Sequence, residues 1–296
     1  GRRQLQTIAS LVAVIVAFLI GLVGANAWET WLTWRHAVSF QQADPILGFD
    51  VSFYVFTLPF LQFVHGLGQA LVILAALGSG AIYLVSGNLT SGFPSRMTIT
   101  AGARRHLSLL AAVFFALLAL GAWMDRAEYL VQPSGIIQGA RYADVHARIP
   151  AALVLSATSL VGVALAIHHA FARRVWPLVL AAVLYFLVAA GGGVYATMLQ
   201  RFVVSPNEQA RETPFIQHNI EATRRAYGLA DVQERALTGA AELSKEDIVR
   251  NRSTLDNVRL WDHQPLRETF SQLQEIRTYY DFLSVDNDRY QINGQL

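Results

Sequence analysis

Five long apolar runs alternate with polar stretches through the first 200 residues, after which the chain becomes charge-rich and amphipathic. The last run, 175–200, carries no charged side chain across 26 positions. A helix needs about 20 apolar residues to cross a hydrocarbon core about 30 Å thick. The runs predict membrane-spanning helices at about 8–28, 58–85, 107–124, 151–171 and 176–198, with every Asp, Glu, Lys and Arg outside them. The expected fold class is an all-α membrane protein. A bundle of five transmembrane helices occupies 1–200, and a mostly helical extracytoplasmic segment occupies 201–296.

Aromatic and small residues refine the spans. Trp28, Trp31 and Trp34 follow the first run at near-helical spacing, Trp123 ends the third, and Trp176 opens the fifth. Indole rings favour the headgroup level, so these positions mark boundaries. Phe53, Tyr54 and Phe56, with Phe60 and Phe63, are expected to lie in the interface before the chain turns into the second span. A lipid or ligand platform is the sharper reading of these rings; an aromatic belt is the commoner arrangement. Ala76 and Gly80 lie four apart in the second span, as do Ala189 and Gly193 in the fifth, and such pairs let helix backbones approach closely. Packing within the bundle is the plain expectation for them, and contact with a partner subunit the alternative.

The later segment reads as three helices. Thr213 and Pro214 suggest the cap and first position of one that ends at Gly228. Its apolar face holds Ile216, Ile220, Thr223 and Tyr227, with partial burial expected. A capping box from Ser244 to Asp247 opens a second helix. Leu266, Phe270 and Leu273 mark a third, starting near Pro265. The stretch 289–292 then reads as a strand and Asn293-Gly294 as a hairpin turn, so a β hairpin is expected to begin there. The sequence opens at Gly1 and stops two residues past that turn, and the chain is expected to continue beyond both ends.

Charge gives the bundle a direction. Arg2 and Arg3, then Arg96, Arg104 and Arg105, then Arg173 and Arg174 fall on one side, seven arginines without an acid. The loops on the other side mix arginine with Asp and Glu. Loops rich in arginine stay in the cytoplasm. The N-terminus is therefore expected inside a bacterial cytoplasmic membrane and 201–296 outside it. Overall only 15% of the 296 residues are charged, against about 25% in a soluble domain. The basic residues of the first part sit at helix ends rather than in one patch, which argues against nucleic acid as a partner. Arginine outnumbers lysine so far (Lys245 is the sole lysine) that genomic bias is the simplest account. Cysteine is absent, which removes disulfides, thiolate nucleophiles and Cys-ligated metals.

Candidate chemistry is sparse. Ion-coupled transporters keep Asp, Glu, Lys or Arg inside their spans, and these spans hold none of the four. His106 opens the third span, while His168 and His169 end the fourth. Two imidazoles on facing helices can hold haem iron, so these three are the cofactor candidates; interfacial histidines among arginines are more ordinary. No HExxH, GxSxG, P-loop or GxGxxG spacing occurs. Neither a catalytic residue nor a metal site is expected, and no cofactor is predicted.

Four stretches carry a family resemblance. They are Asp44-Pro45-Ile46-Leu47-Gly48-Phe49-Asp50-Val51-Ser52-Phe53-Tyr54-Val55-Phe56, Tyr142-Ala143-Asp144-Val145-His146-Ala147-Arg148-Ile149-Pro150, and His218-Asn219-Ile220 through Ala226-Tyr227-Gly228-Leu229. The fourth is Asn257-Val258-Arg259-Leu260-Trp261-Asp262, continuing to Tyr279-Tyr280-Asp281-Phe282. Together they resemble Uncharacterised Protein Family 0182, large bacterial membrane proteins with several spans and a large extracytoplasmic region. The resemblance covers nearly the whole chain and implies no catalytic residue. The expectation is a non-enzymatic anchor, scaffold or accessory subunit of a larger membrane assembly, with the bilayer and protein subunits as partners. Envelope transport or lipid handling is the alternative, and it requires a lipid-sized groove between spans or under the 53–63 stretch.

Overall fold

The computed structural model describes residues 2–90, 98–134, 137–172, 174–235, 239, 244–258, 262–274, 279, 281–286 and 290–291. Helices form where the apolar runs lie: α1 Arg2–Ala25, α2 Trp28–Arg35, α3 Leu58–Val85, α4 Ala101–Glu128, α5 Ile149–Phe171 and α6 Trp176–Leu199. Among the described residues, four helical stretches are long and apolar enough to cross a membrane, or five if α1 and α2, bent by 48° at Asn26–Ala27, count as one broken span. Trp28, Trp31 and Trp34 all lie on the short α2. Two small antiparallel ladders, β1 Leu89–Thr90 with β2 Thr98–Ile99 and β3 Pro133–Ser134 with β4 Ile137–Gln138, flank α4.

The helices outlast the apolar runs that nucleate them. The α4 helix includes Arg104 and Arg105 in its first turns and Asp125, Arg126 and Glu128 in its last. Thr100 caps its start, accepting from the Ala103 N–H. The aromatic stretch at 53–56 is helical and continuous with α3, in one 33-residue helix with no turn between them.

Three helix ends share one irregularity with one cause. Wide π turns at Phe53–Thr57, Asp144–Arg148 and Gln200–Val204 precede α3, precede α5 and follow α6. In each, an N–H reaches back five residues: Leu58 to Phe53, Ile149 to Asp144, and Ser205 to Gln200. The next residue is always proline, namely Pro59, Pro150 or Pro206. Proline has no N–H, and its ring collides with the carbonyl four residues back. Those carbonyls belong to Val55, His146 and Phe202, each inside a π turn. Widening the turn moves the carbonyl aside without ending the helix. All three turns lie at the same end of the bundle, called the loop end below, because successive spans run antiparallel.

The packed centre is the α4–α5 pair, with α3 and α6 on its flanks. Twelve of the eighteen buried apolar residues among those described are alanine, so helices meet by close backbone approach. Ala112 and Phe115 of α4, Ala166 of α5 and Ala181 of α6 form one cluster. Leu58 of α3 with Met124 and Ala127 of α4 form another at the loop end. Gly162 accommodates the Phe115 ring so closely that a Cβ there would stand 2.5 Å from Phe115 Cδ1. Hydroxyls and one imidazole add cross-links: Ser156 Oγ donates to the Ala119 carbonyl at 2.8 Å, and His65 Nε2 to the Leu117 carbonyl at 2.8 Å.

After α6 the chain passes through its π turn and a 3₁₀ turn, Ser205–Asn207, into α7, Glu208–Ala226. Thr213 and Pro214 therefore sit inside α7, not at its start. The helix starts at Glu208, directly after the 3₁₀ turn, and Thr213 Oγ1 donates to the Gln209 carbonyl. The helix ends as expected at Gly228, whose φ of 65° suits glycine. The Leu229 N–H bonds the Arg224 carbonyl at 2.7 Å and the Gly228 N–H the Arg225 carbonyl at 3.2 Å, a Schellman close.

The chain divides into two compact units at Asp231 and Val232, so the unit holding the spans extends past residue 200 and includes α7. The second unit contains α8 Lys245–Arg250, α9 Arg252–Leu255 and α10 His263–Gln274. Both halves of the Ser244–Asp247 capping box are present. The Phe270 and Phe282 rings meet at 5.9 Å, and His263 Nδ1 donates to the Val285 carbonyl at 3.2 Å. Tyr290 and Gln291 form no strand, and the Asn293-Gly294 turn lies outside the described residues.

Candidate functional site

The loop end brings together three stretches that are far apart in sequence. The first is the 44–56 segment, organised by two aspartates. Asp44 accepts from the N–H groups of Ile46 (2.8 Å), Leu47 (2.6 Å) and Phe49 (2.8 Å), and from the Tyr54 hydroxyl (2.7 Å). Gly48, at φ 77°, lets the turn close. Burial raises the Asp44 carboxyl, but donation from Leu47, Tyr54, Ile46 and Phe49 outweighs it and leaves the group below its ordinary range. Asp50 opens the next helix: it accepts from the Ser39 hydroxyl at 2.6 Å, the Ser52 N–H at 2.8 Å and the Phe40 N–H at 3.1 Å. The hydroxyls of Ser39 and Ser52 and these N–H groups hold its carboxyl well below the usual range. With four donors on Asp44, this is a carboxylate committed to building a loop, not a free general base.

The second stretch surrounds the π turn before α5. Asp144 is buried and accepts from the Arg141 N–H (2.9 Å) and from Arg148 Nη1 (2.9 Å). Tyr142 and His146 stack at 4.0 Å, one helical turn apart. The third stretch is α7, which lies against both. Glu212, only 5% exposed, accepts the Tyr142 N–H at 3.1 Å through Oε2, while its buried Oε1 has no hydrogen-bond partner. Phe215 meets Tyr142 and His146 edge-on, at 6.2 and 6.3 Å. The Arg211 guanidinium lies 5.3 Å from the Tyr142 ring centre. Asn219 Nδ2 donates to the Gln138 carbonyl. The face of α7 that docks is therefore Glu212, Phe215 and Asn219. The apolar face read from periodicity is not the docked one: Ile216 and Ile220 stay 40% and 46% exposed, and Thr223 and Tyr227 are exposed as well.

Between these stretches lies a cavity of about 310 Å³. Its wall is mainly apolar, with Ile46, Val51, Val55, Leu130 and Phe215; Tyr54, Gln138, His218 and Asn219 add polar groups. Asp44 also lines it, and the mainly apolar wall suits non-covalent binding of an apolar group. Among the described residues, no group of three or more His, Cys, Asp or Glu could hold a metal ion.

Three of the four stretches that suggested a family therefore converge on one place. A family model, the Uncharacterised protein family (UPF0182), matches residues 1–296. The chain belongs to this family. It is 38% identical over 301 residues to a UPF0182 protein of Geobacter sp. (strain M21), covering 99% of this chain and 33% of that one. A UPF0182 protein of Pelobacter propionicus is 38% identical over 296 residues, with the same shares. One from Geobacter sulfurreducens is 37% identical over 296 residues, covering 99% and 33%. The chain spans about a third of the length of these curated relatives. No solved structure matches it.

In this UPF0182 chain the histidine candidates go to separate partners. His106 Nδ1 lies 2.9 Å from the Tyr83 hydroxyl. His169 is buried with Nδ1 2.7 Å from Ser108 Oγ, and Ser108 Oγ also reaches the Arg104 carbonyl at 2.7 Å. His168 is exposed. The small-residue candidates differ among themselves. Ala76 and Ala189 are half-buried, whereas a Cβ on Gly80 or Gly193 would meet nothing within 4 Å. The close approaches fall on Gly162 against Phe115, Gly121 against His65, and Gly192, where a Cβ would stand 2.9 Å from Ala151 Cβ. Phe53 and Tyr54 pack on the Leu58–Met124 cluster, and Phe56 meets Phe40 edge-on at 5.7 Å. Sequence reading missed Glu212 and Asn219. A buried acid on a mostly polar helix carries no periodic signal.

Proposed function

We propose that this part of the protein is the membrane anchor of a larger assembly, and that it holds α7 in a fixed orientation outside the cytoplasmic membrane. The observation that carries this reading is the junction at α7. The last span passes without a loop into α7, and α7 is tied back through Glu212 to Tyr142 and through Asn219 to Gln138. A flexible tether would need none of these bonds; a rigid mount needs all of them. The orientation rests on the seven acid-free arginines at the opposite end. Because the chain has no cysteine, single introduced cysteines report sidedness without background. Ser205→Cys and Ser253→Cys are expected to react with a membrane-impermeant maleimide in intact cells, and Ser86→Cys only after lysis. The reverse pattern overturns the topology. Mild-detergent purification from native membranes tests the assembly role, with stoichiometric recovery of one defined complex as the expected result.

A second reading, lipid handling, is favoured by one observation: the apolar-walled cavity of about 310 Å³ under the 44–55 loop. Recovery of the chain alone with co-purified lipid supports this reading over the first.

A further inference from the structure

The cavity under the 44–55 loop keeps its apolar and polar groups apart. Ile46, Val51, Val55, Leu130 and Phe215 form most of its wall. Gln138, with His218 and Asn219 of α7, lies on one side. Asn219 Nδ2 is committed to the Gln138 carbonyl, which leaves its Oδ1 to accept. Among the described residues, Asp44 is the only Asp, Glu, Lys or Arg in the wall, and each of its carboxylate oxygens already holds two donors. Val55 lies in the turn that leads into α3, and Leu130 and Val131 closely follow α4, so the cavity sits where two spans end. His218 and Ala222, both exposed, mark its open side. Its volume of about 310 Å³ is at the lower end of the roughly 300–1,000 Å³ usual for ligand sites.

We propose that this cavity binds one single-chain amphiphile with an uncharged, hydrogen-bonding head, of the monoacylglycerol class. The inference rests on the lipid-handling reading and names the ligand for it. Burial of a methylene chain against the apolar wall supplies the driving force. Asn219 Oδ1 accepts from a head hydroxyl, and the His218 ring offers a second partner on the open side. An anionic head would meet the Asp44 carboxylate with no Lys or Arg in the wall to offset the repulsion. The small volume admits one chain, not the two of a bilayer-forming lipid.

The test uses the chain in lipid nanodiscs with a photoactivatable monoacylglycerol, and the labelled residues are mapped by mass spectrometry. Label is expected in the cavity, on Ile46, Val51, Leu130 or Phe215, and also at exposed positions of the spans such as Leu77 of α3, which is 66% exposed. Lysophosphatidic acid and diacylglycerol of equal chain length add an anionic head and a second chain, respectively. Each is expected to need about tenfold more than unlabelled monoacylglycerol to displace the cavity label. Ala222→Phe, at an exposed position on the open side, is expected to cut the cavity label about tenfold and leave the Leu77 label unchanged. Val55→Phe carries the same expectation from the opposite wall, should α7 not tolerate the first variant. Label at Leu77 with none in the cavity overturns the proposal together with the lipid-handling reading, and points to a protein side chain as the occupant. Displacement as ready by lysophosphatidic acid or diacylglycerol overturns the ligand class and leaves that reading standing. Cavity label unchanged in both variants also overturns the proposal.

Discussion

The α4–α5 seam and the α7 junction join helical elements by opposite means. The seam is alanine, glycine and buried hydroxyl, and its closeness comes from what the side chains lack. The junction is a glutamate, an asparagine and an aromatic cluster, and it holds through specific bonds to backbone groups of the 138–142 stretch. Between spans, lipid is as apolar as leucine, so only tight van der Waals contact and hydrogen bonding favour association. At the junction water is near, so hydrophobic contact with directed bonds does the joining. The seam should therefore fail by steric insertion and the junction by loss of a single acceptor.

Overfilling the seam is the harshest way to break this contrast. Gly162→Leu is expected to have the largest effect. Even a Cβ there would stand 2.5 Å from the ring of buried Phe115, and overpacking a filled core costs about 1–3 kcal/mol or more. Thermal unfolding in detergent should show a clear drop, with less protein recovered. Gly80→Ala is the control, because nothing lies within 4 Å of the added carbon. Equal losses in the two variants would show that the seam is not specifically packed.

Removing the junction's acceptor comes next. Glu212→Ala leaves the Tyr142 N–H unpaired in a buried place, at a cost of about 1–3 kcal/mol. The expected outcome is faster proteolysis within α7 with the spans still folded. Glu212→Gln should be close to neutral or stabilising, since it keeps an acceptor for Tyr142 and removes a buried charge whose Oε1 has no partner. If Gln is as damaging as Ala, the negative charge itself is needed.

Acid should loosen the 44–50 loop before the seam. The Asp44 carboxyl lies below its ordinary value of 3.8 in the folded chain. A depressed folded-state value means its stabilisation is complete above about pH 4 and is lost as pH falls through the folded value. Asp50 titrates in the same direction. Proteolytic cleavage within 39–52 should rise at low pH, and Asp44→Asn should raise it at neutral pH and flatten the dependence. A pH-independent loop would show that the four donors do not hold it.

Much of the bundle was legible because lipid imposes one rule on every span. The second span was read as 58–85, which is the extent of α3, and the Ser244 capping box formed as its spacing implied. The helix ends were harder. Pro59, Pro150 and Pro206 each look like a stop, yet each is absorbed by a π turn that keeps the helix continuous. Thr213-Pro214 carries a cap signature, but α7 already begins at Glu208, so the pair falls inside the helix. The glycines that touch were not the paired ones: Gly162 and Gly121 are isolated in sequence, and only the facing ring of Phe115 or His65 gives them a role. The cavity under the 44–55 loop joins Val55, Leu130 and Phe215, residues far apart in the chain, which no local pattern encodes.

The smallest predicted effect separates the two ways of reading α7. Ile216 and Ile220 lie four apart, the spacing of an apolar stripe that a core would cover. In the structure the stripe is exposed, and the docked residues lie one position earlier in each case, at Phe215 and Asn219. Substitution of exposed positions away from caps and networks changes stability by less than about 0.5 kcal/mol. Ile216→Ser and Ile220→Ser should therefore leave thermal unfolding of this chain almost unmoved, while Asn219→Ala, which removes a tie to the Gln138 carbonyl, should lower it by about 1 kcal/mol. Large losses from the isoleucines with none from Asn219 would reverse the assignment of faces. They would mean that α7 docks without its directed bonds, and the contrast between seam and junction would not hold.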